Sequence, residues 1–93
     1  MRKLTQQEVL ALQPTTQLFH VKLWRLWQPA PHLIWEGDTQ LHIQRAVPSR
    51  RYPKQLALVT AKGHGWAEGS AGDVTDQGDV VVEDYWMEIF HIE

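Results

Sequence analysis

Apolar residues recur every second position through most of this chain and follow a helical spacing only near its start. Thr5-Gln6-Gln7-Glu8 precedes a short apolar stripe of Val9, Leu10 and Leu12, which Pro14 closes. Threonine followed three residues later by glutamate is a capping box, in which each side chain satisfies the other's backbone N–H. The pattern predicts a helix over residues 5–13, too short to stand without something to pack on.

From residue 17 the period changes. In 17–27, Phe19, Val21, Leu23 and Trp27 share one face of an extended strand, and Leu18, His20, Lys22, Trp24 and Leu26 share the other. A strand fits better than a helix, although Leu and Arg keep the helix open as an alternative. Pro29 and Pro31 end the segment either way. His32–Glu36 and Thr39–Val47 flank Gly37-Asp38, which reads as a two-residue hairpin turn. That register sets Ile34 opposite Leu41 and gathers Ile34, Leu41, Ile43 and Val47 on a core face. It turns Leu33 and Trp35 to the other side. Pro48–Pro53 is a loop, and Gln55–Ala61 is a further strand.

Glycines at 63, 65, 69, 72 and 78 then punctuate the chain from Lys62 to Gly78. A stretch of that length without an element of its own is either a functional loop or a flexible one, unless Trp66 seeds a short strand within it. Val80–Val82 and Tyr85–Ile92 complete the strands, with Glu83-Asp84 as a bend or bulge. The elements predict an α+β chain in one domain, 1–93. A short N-terminal helix is followed by a five- to six-stranded antiparallel sheet, strongly curved or barrel-like.

Composition adds two constraints to this picture. Cysteine is absent, so neither disulfides nor thiolate chemistry is available, and a reducing cytoplasm is the default compartment. Met1-Arg2-Lys3-Leu4-Thr5 runs into polar Gln6, Gln7 and Glu8, which argues against a secretory leader. No apolar run is long enough to span a membrane as a helix. Tryptophan occurs five times against two Phe and two Tyr. Trp24 and Trp35 fall opposite the better core stripes. Either a second layer covers them, or they form an aromatic interface patch.

Charge is segregated along the chain. Residues 1–62 carry all nine Lys and Arg with three acids, a net of +6. Residues 63–93 carry eight acids and no Lys or Arg, a net of −8. The concentrated pieces are a basic loop (Arg45, Arg50, Arg51, Lys54) around Tyr52 and an acidic stretch from Glu68 to Asp84. They suit each other, within one molecule or across two, by charge complementarity.

Catalytic chemistry finds little support in these residues. Gly69-Ser70-Ala71-Gly72 lacks the glycine that a nucleophile elbow needs two positions before its serine. The histidines at 20, 32, 42, 64 and 91 show no metal-ligand spacing, and the acids at 73, 76 and 79 do not follow a calcium loop. His64, between two glycines, is the histidine best presented by its backbone.

The chain is therefore read as a non-enzymatic protein-interaction module that self-associates as a homodimer. Trp24, Trp35, Arg50, Arg51, Tyr52, His64 and Trp66 are its candidate interaction residues, and no cofactor, metal or membrane partner is expected. Two other readings stand beside it. One is a small-molecule-binding protein or small enzyme with a Trp/His-lined pocket. The other is nucleic-acid binding through the Arg45–Lys54 loop, against which the sequence pI of about 6.2 argues.

Overall fold

The computed structural model describes residues 1–26, 29–44, 55–60 and 71–93. They form a mainly antiparallel sheet with one short helix, the α+β class that the pattern predicts. In chain order the elements are β1 (Arg2–Lys3), α1 (Gln6–Leu10), β2 (Leu18–Leu26), β3 (Pro31–Gln44), β4 (Gln55–Thr60), β5 (Ala71–Val74), β6 (Val80–Val82) and β7 (Tyr85–His91). Neighbouring strands follow the order β1-β7-β2-β3-β4-β5-β6, and β6 pairs with β7 as well.

The helix begins as its capping box dictates. Glu8 N–H donates to Thr5 Oγ1 at 3.2 Å, and Thr5 N–H donates to Glu8 Oε1 at 3.1 Å. Helical geometry ends at Leu10, with Ala11 as C-cap, so α1 is shorter than the expected 5–13. Glu8 also takes both Arg2 guanidinium nitrogens, at 2.6 and 2.9 Å. That pairing, with the Thr5 hydrogen bonds, lowers the Glu8 carboxyl to about 2. Val9 is fully buried, and Leu4 beside it donates its N–H to Ile89 O at 2.9 Å. The helix is too short to persist alone and is held by this packing.

β2 resolves the choice left open over residues 17–27 in favour of a strand. Phe19, Val21 and Leu23 are buried on its inner face, while Lys22 and Trp24 on the outer face are half-exposed. Its inner residues meet Ile89 and Met87 of β7, and Val80 of β6 continues the row beyond Met87. With Leu4, Val9, Leu41 and Val74 these residues make the core.

The expected Gly37-Asp38 turn does not form. β3 runs without a break from Pro31 to Gln44, and Gly37 and Asp38 lie in its middle, opposite Val21 and His20. The alternation passes straight through them, with Thr39 and Leu41 buried and Glu36 and Asp38 exposed. Gly37 is needed inside the strand because the Trp35 indole lies over it. A Cβ at Gly37 would sit 2.9 Å from Trp35 Cζ2. In consequence Trp35 packs against the core and Ile34 is exposed, the reverse of the hairpin reading. A bulge supplies the change of register. Leu23 pairs with Trp35 and Trp24 with Leu33, leaving Ile34 as the extra residue.

One element was not foreseen, and another forms inside the stretch where Trp66 was the expected seed of any short strand. β1 adds to β7 through Arg2↔His91 and Lys3↔Phe90, and β5 forms within the glycine-punctuated stretch. β5 and β6 are joined by a tight connection in which Gly78 N–H donates to Thr75 O at 2.9 Å and Thr75 N–H to Asp79 O at 2.8 Å. Gly78 sits at φ 85°, and a Cβ there would run into the Leu4 carbonyl oxygen. The β6–β7 turn is Glu83-Asp84, where Glu83 holds φ 52° without being glycine. Only the first central residue has positive φ, which is the position a type II′ turn assigns to glycine.

These two turns predict opposite responses. Gly78→Ala should lower unfolding free energy by about 2 kcal/mol or more, through left-handed backbone strain plus the clash with Leu4. Glu83→Gly should raise it by ~0.5–1 kcal/mol, because strain is relieved and no apolar contact is lost. Urea unfolding followed by tryptophan fluorescence measures both.

Candidate functional site

The outer face of β2, β7 and β3 carries the densest set of interacting side chains among the described residues. Strand alternation puts His20, Lys22 and Trp24 there from β2. Register then fixes their neighbours. His20 lies between Phe90 and Asp38, Lys22 between Glu88 and Glu36, and Trp24 between Trp86 and Leu33. Val81 of β6 extends the last row beyond Trp86.

That last row is apolar from Leu33 to Val81, and Asp73 of β5, opposite Val81, closes it. The rings of Trp24 and Trp86 stack with centroids 5.9 Å apart and planes within 10° of parallel. Leu33 is 44% exposed, and Ile34 and Leu26 nearby are 39% and 58% exposed. The indole N–H of Trp24 donates to Glu88 Oε1 at 2.6 Å, which fixes the ring and ties it to the next row. Aromatic stacking of this kind adds roughly 0.5–1.5 kcal/mol beyond area burial.

The next row is charged but internally matched. Lys3 from β1 donates to Asp79 Oδ1 at 2.6 Å and lies 3.5 Å from Glu88 Oε2. Burial works against the Lys3 ammonium, but Asp79 and Glu88 outweigh it and hold its pKa above the usual lysine value. Lys22 sits 5.5 Å from the Phe90 ring centroid, a cation–π contact. Arg25, at the end of β2, lies 3.7 Å from Asp84 Oδ2 and 5.0 Å from the Tyr85 ring centroid.

The third row centres on His20. Its Nδ1 is 2.8 Å from Asp38 Oδ1 and its Nε2 is 2.7 Å from Glu36 Oε2. Phe90 stands edge-on, with the ring centroids 6.1 Å apart. The hydrogen bonds to Glu36 and then Asp38 raise the imidazole pKa above its ordinary 6.5, against a smaller effect of burial. The two carboxylates take different ring nitrogens, so the three groups do not converge on one point. Among the described residues, no group of three or more His, Asp and Glu is placed to hold a metal ion.

Of the residues expected to mark an interaction site, Trp24 lies at the centre of the outer face. Trp35 is on the inner side against the core. Trp24 and Trp86 therefore do not converge with Trp35 on a common concavity. Arg50, Arg51, Tyr52, His64 and Trp66, and the Arg45–Lys54 loop as a whole, lie outside the described residues. The sequence reading missed Trp86, Glu88, Leu33 and the His20 cluster as parts of one face. The available signal was the alternation of β7, which sets Trp86, Glu88 and Phe90 on one side.

No family model, curated protein or solved structure matches this chain. No helix among the described residues is long and apolar enough to cross a membrane.

Glu88 joins the aromatic row to the charged one, so its removal should be felt by both. Glu88→Ala should cost about 1 kcal/mol of unfolding free energy, and Glu88→Gln, which keeps an acceptor for the Trp24 N–H, should cost less. Thermal unfolding by near-ultraviolet circular dichroism reports the loss together with any change in the tryptophan pair.

Proposed function

We propose that this chain is a non-enzymatic interaction module that self-associates through the outer face of β3, β2, β7 and β6. The observation that carries the reading is the row Leu33–Trp24–Trp86–Val81, an apolar line in register across four strands. Exposed Leu26 and Ile34 widen it. A centre of stacked tryptophan bordered by aliphatic residues is the composition of an interface core.

A second copy is the occupant best supported by charge. The row beside the aromatic line carries Glu36, Lys22 and Glu88, of both signs, and Lys3, opposite Phe90, reaches Glu88 from the row beyond. A one-sign flank would select a partner of opposite charge. A mixed, internally matched flank instead suits a twofold contact, in which the same patch must accept itself.

The proposal extends to the shape of the sheet. β6 pairs with β5 through Val80 and Val81 and with β7 through Val80–Val82. That β6, at one end of the strand order, also pairs with β7, next to the other end, supports a barrel-like curl, which leaves few edges for pairing and directs association to a face.

Sedimentation equilibrium tests the reading. The protein is expected to be a dimer at micromolar concentration. Leu33→Lys should weaken association by about tenfold or more, because a lysine ammonium would enter the apolar centre. Gln7→Lys, at an exposed position on α1, should not. A protein that stays monomeric at those concentrations, or a Leu33→Lys variant that associates as tightly as the original, overturns it.

A further inference from the structure

We propose that His20 is a proton-operated clasp between β2 and β3, holding Glu36 and Asp38 as an imidazolium and releasing one of them when it loses its proton. The geometry follows from the register. Asp38 lies directly opposite His20, and Glu36 lies two residues along the same face of β3, opposite Lys22. Gly37, between the two acids, points to the other face, where Trp35 covers it. The imidazole is thus bracketed by two carboxylates of one strand, at 2.8 and 2.7 Å on its two nitrogens.

Only the doubly protonated ring donates through both nitrogens. In the neutral ring one N–H remains, and the other nitrogen turns a lone pair toward a carboxylate oxygen. That contact is repulsive, and its carboxylate gains by turning to water. One proton leaves to solvent, one ring–carboxylate hydrogen bond is lost, and the other is kept.

The surroundings leave those two acids as the groups that govern the ring. On β2 the nearest charge is Lys22, drawn toward the Phe90 ring. On β3, Gln40 is neutral and donates its side-chain N–H to Thr15 O. From β7, Phe90 presents its edge, and Glu88 is held by Trp24 and Lys3. β1 contributes Lys3, opposite Phe90, which is bound to Asp79.

The sign of the linkage is definite. The folded state holds the His20 proton more tightly than the unfolded chain does. The clasp's contribution is therefore complete below the ordinary histidine pKa of 6.5 and fades as pH rises through the raised folded value. The ring is covered on its Phe90 side while its two acids reach solvent, so release needs no unfolding of the sheet.

Nitrogen-15 NMR of the imidazole rings, with His20→Gln to assign the signal, tests the proposal. At pH 6.5 more than half of the His20 rings should carry both protons, and Glu36→Gln and Asp38→Asn should each move the midpoint down toward the ordinary value. The melting temperature should fall as pH rises through the His20 midpoint, and His20→Gln should lack that fall. A midpoint at or below 6.5, or one unmoved by both acid substitutions, overturns the clasp. So does a melting profile unchanged in His20→Gln. If His20→Gln does not fold, the midpoints in Glu36→Gln and Asp38→Asn decide the matter alone.

Discussion

β7 is the strand on which the other elements depend, because its backbone is claimed along both edges. β2 pairs with it from Tyr85 to Phe90 on one side, while β6 takes Tyr85–Met87 and β1 takes Phe90–His91 on the other. Leu4 N–H adds a bond to Ile89 O where β1 leads into the helix. A buried backbone group without a partner is costly, so a strand with both ladders filled is where the core is placed most cheaply. Met87 and Ile89 on its inner face are both fully buried. The same strand's outer side chains, Trp86, Glu88 and Phe90, organise the aromatic, charged and His20 rows. One alternation therefore sets both the core and the candidate surface.

The parts of this fold that could be read from the sequence are those decided by near neighbours. The capping box needs only Thr5 and Glu8, and the inner face of β2 needs only the period of Phe19, Val21 and Leu23. Gly37-Asp38 failed because the dipeptide has the chemistry of a turn, while its real role depends on a side chain two residues away. Trp35 lies on the same face as Gly37, and an aromatic ring laid over a strand glycine removes the exposed backbone that would otherwise weaken the strand. The alternation of Trp35, Gly37, Thr39 and Leu41 was present in the sequence, but the glycine concealed it by having no side chain to count. β1 and β5 are two and four residues long, below the length at which a period can be recognised.

The candidate site was legible only in fragments for a related reason. Trp24 stands out on its own strand, but a row is a property of register between strands, and register is not encoded within any one of them. The bulge at Ile34 shows how much depends on it. Without that extra residue Leu23 would still pair with Trp35, but Trp24 would pair with Ile34 and Leu33 would fall opposite Arg25. The single insertion leaves Trp35 over Gly37 undisturbed and brings Leu33 to the tryptophan pair.

The segregation of charge along the chain acquires a structural meaning from the same pairings. Lys3 meets Asp79 and Glu88, and Arg25 meets Asp84, each bringing a basic residue of the first 62 positions to an acid of the last 31. Exposed pairs of this kind contribute little singly. Lys3 differs, being half-buried between two carboxylates, so that removing either acid leaves its charge less compensated. Antiparallel pairing of the chain's start with its end turns part of a sequence-level polarity into local pairs of opposite charge. The proposed contact through the Leu33–Trp24–Trp86–Val81 row rests on such pairing, since an uncompensated field of one sign beside that row would repel an identical copy before the aromatic rings could meet.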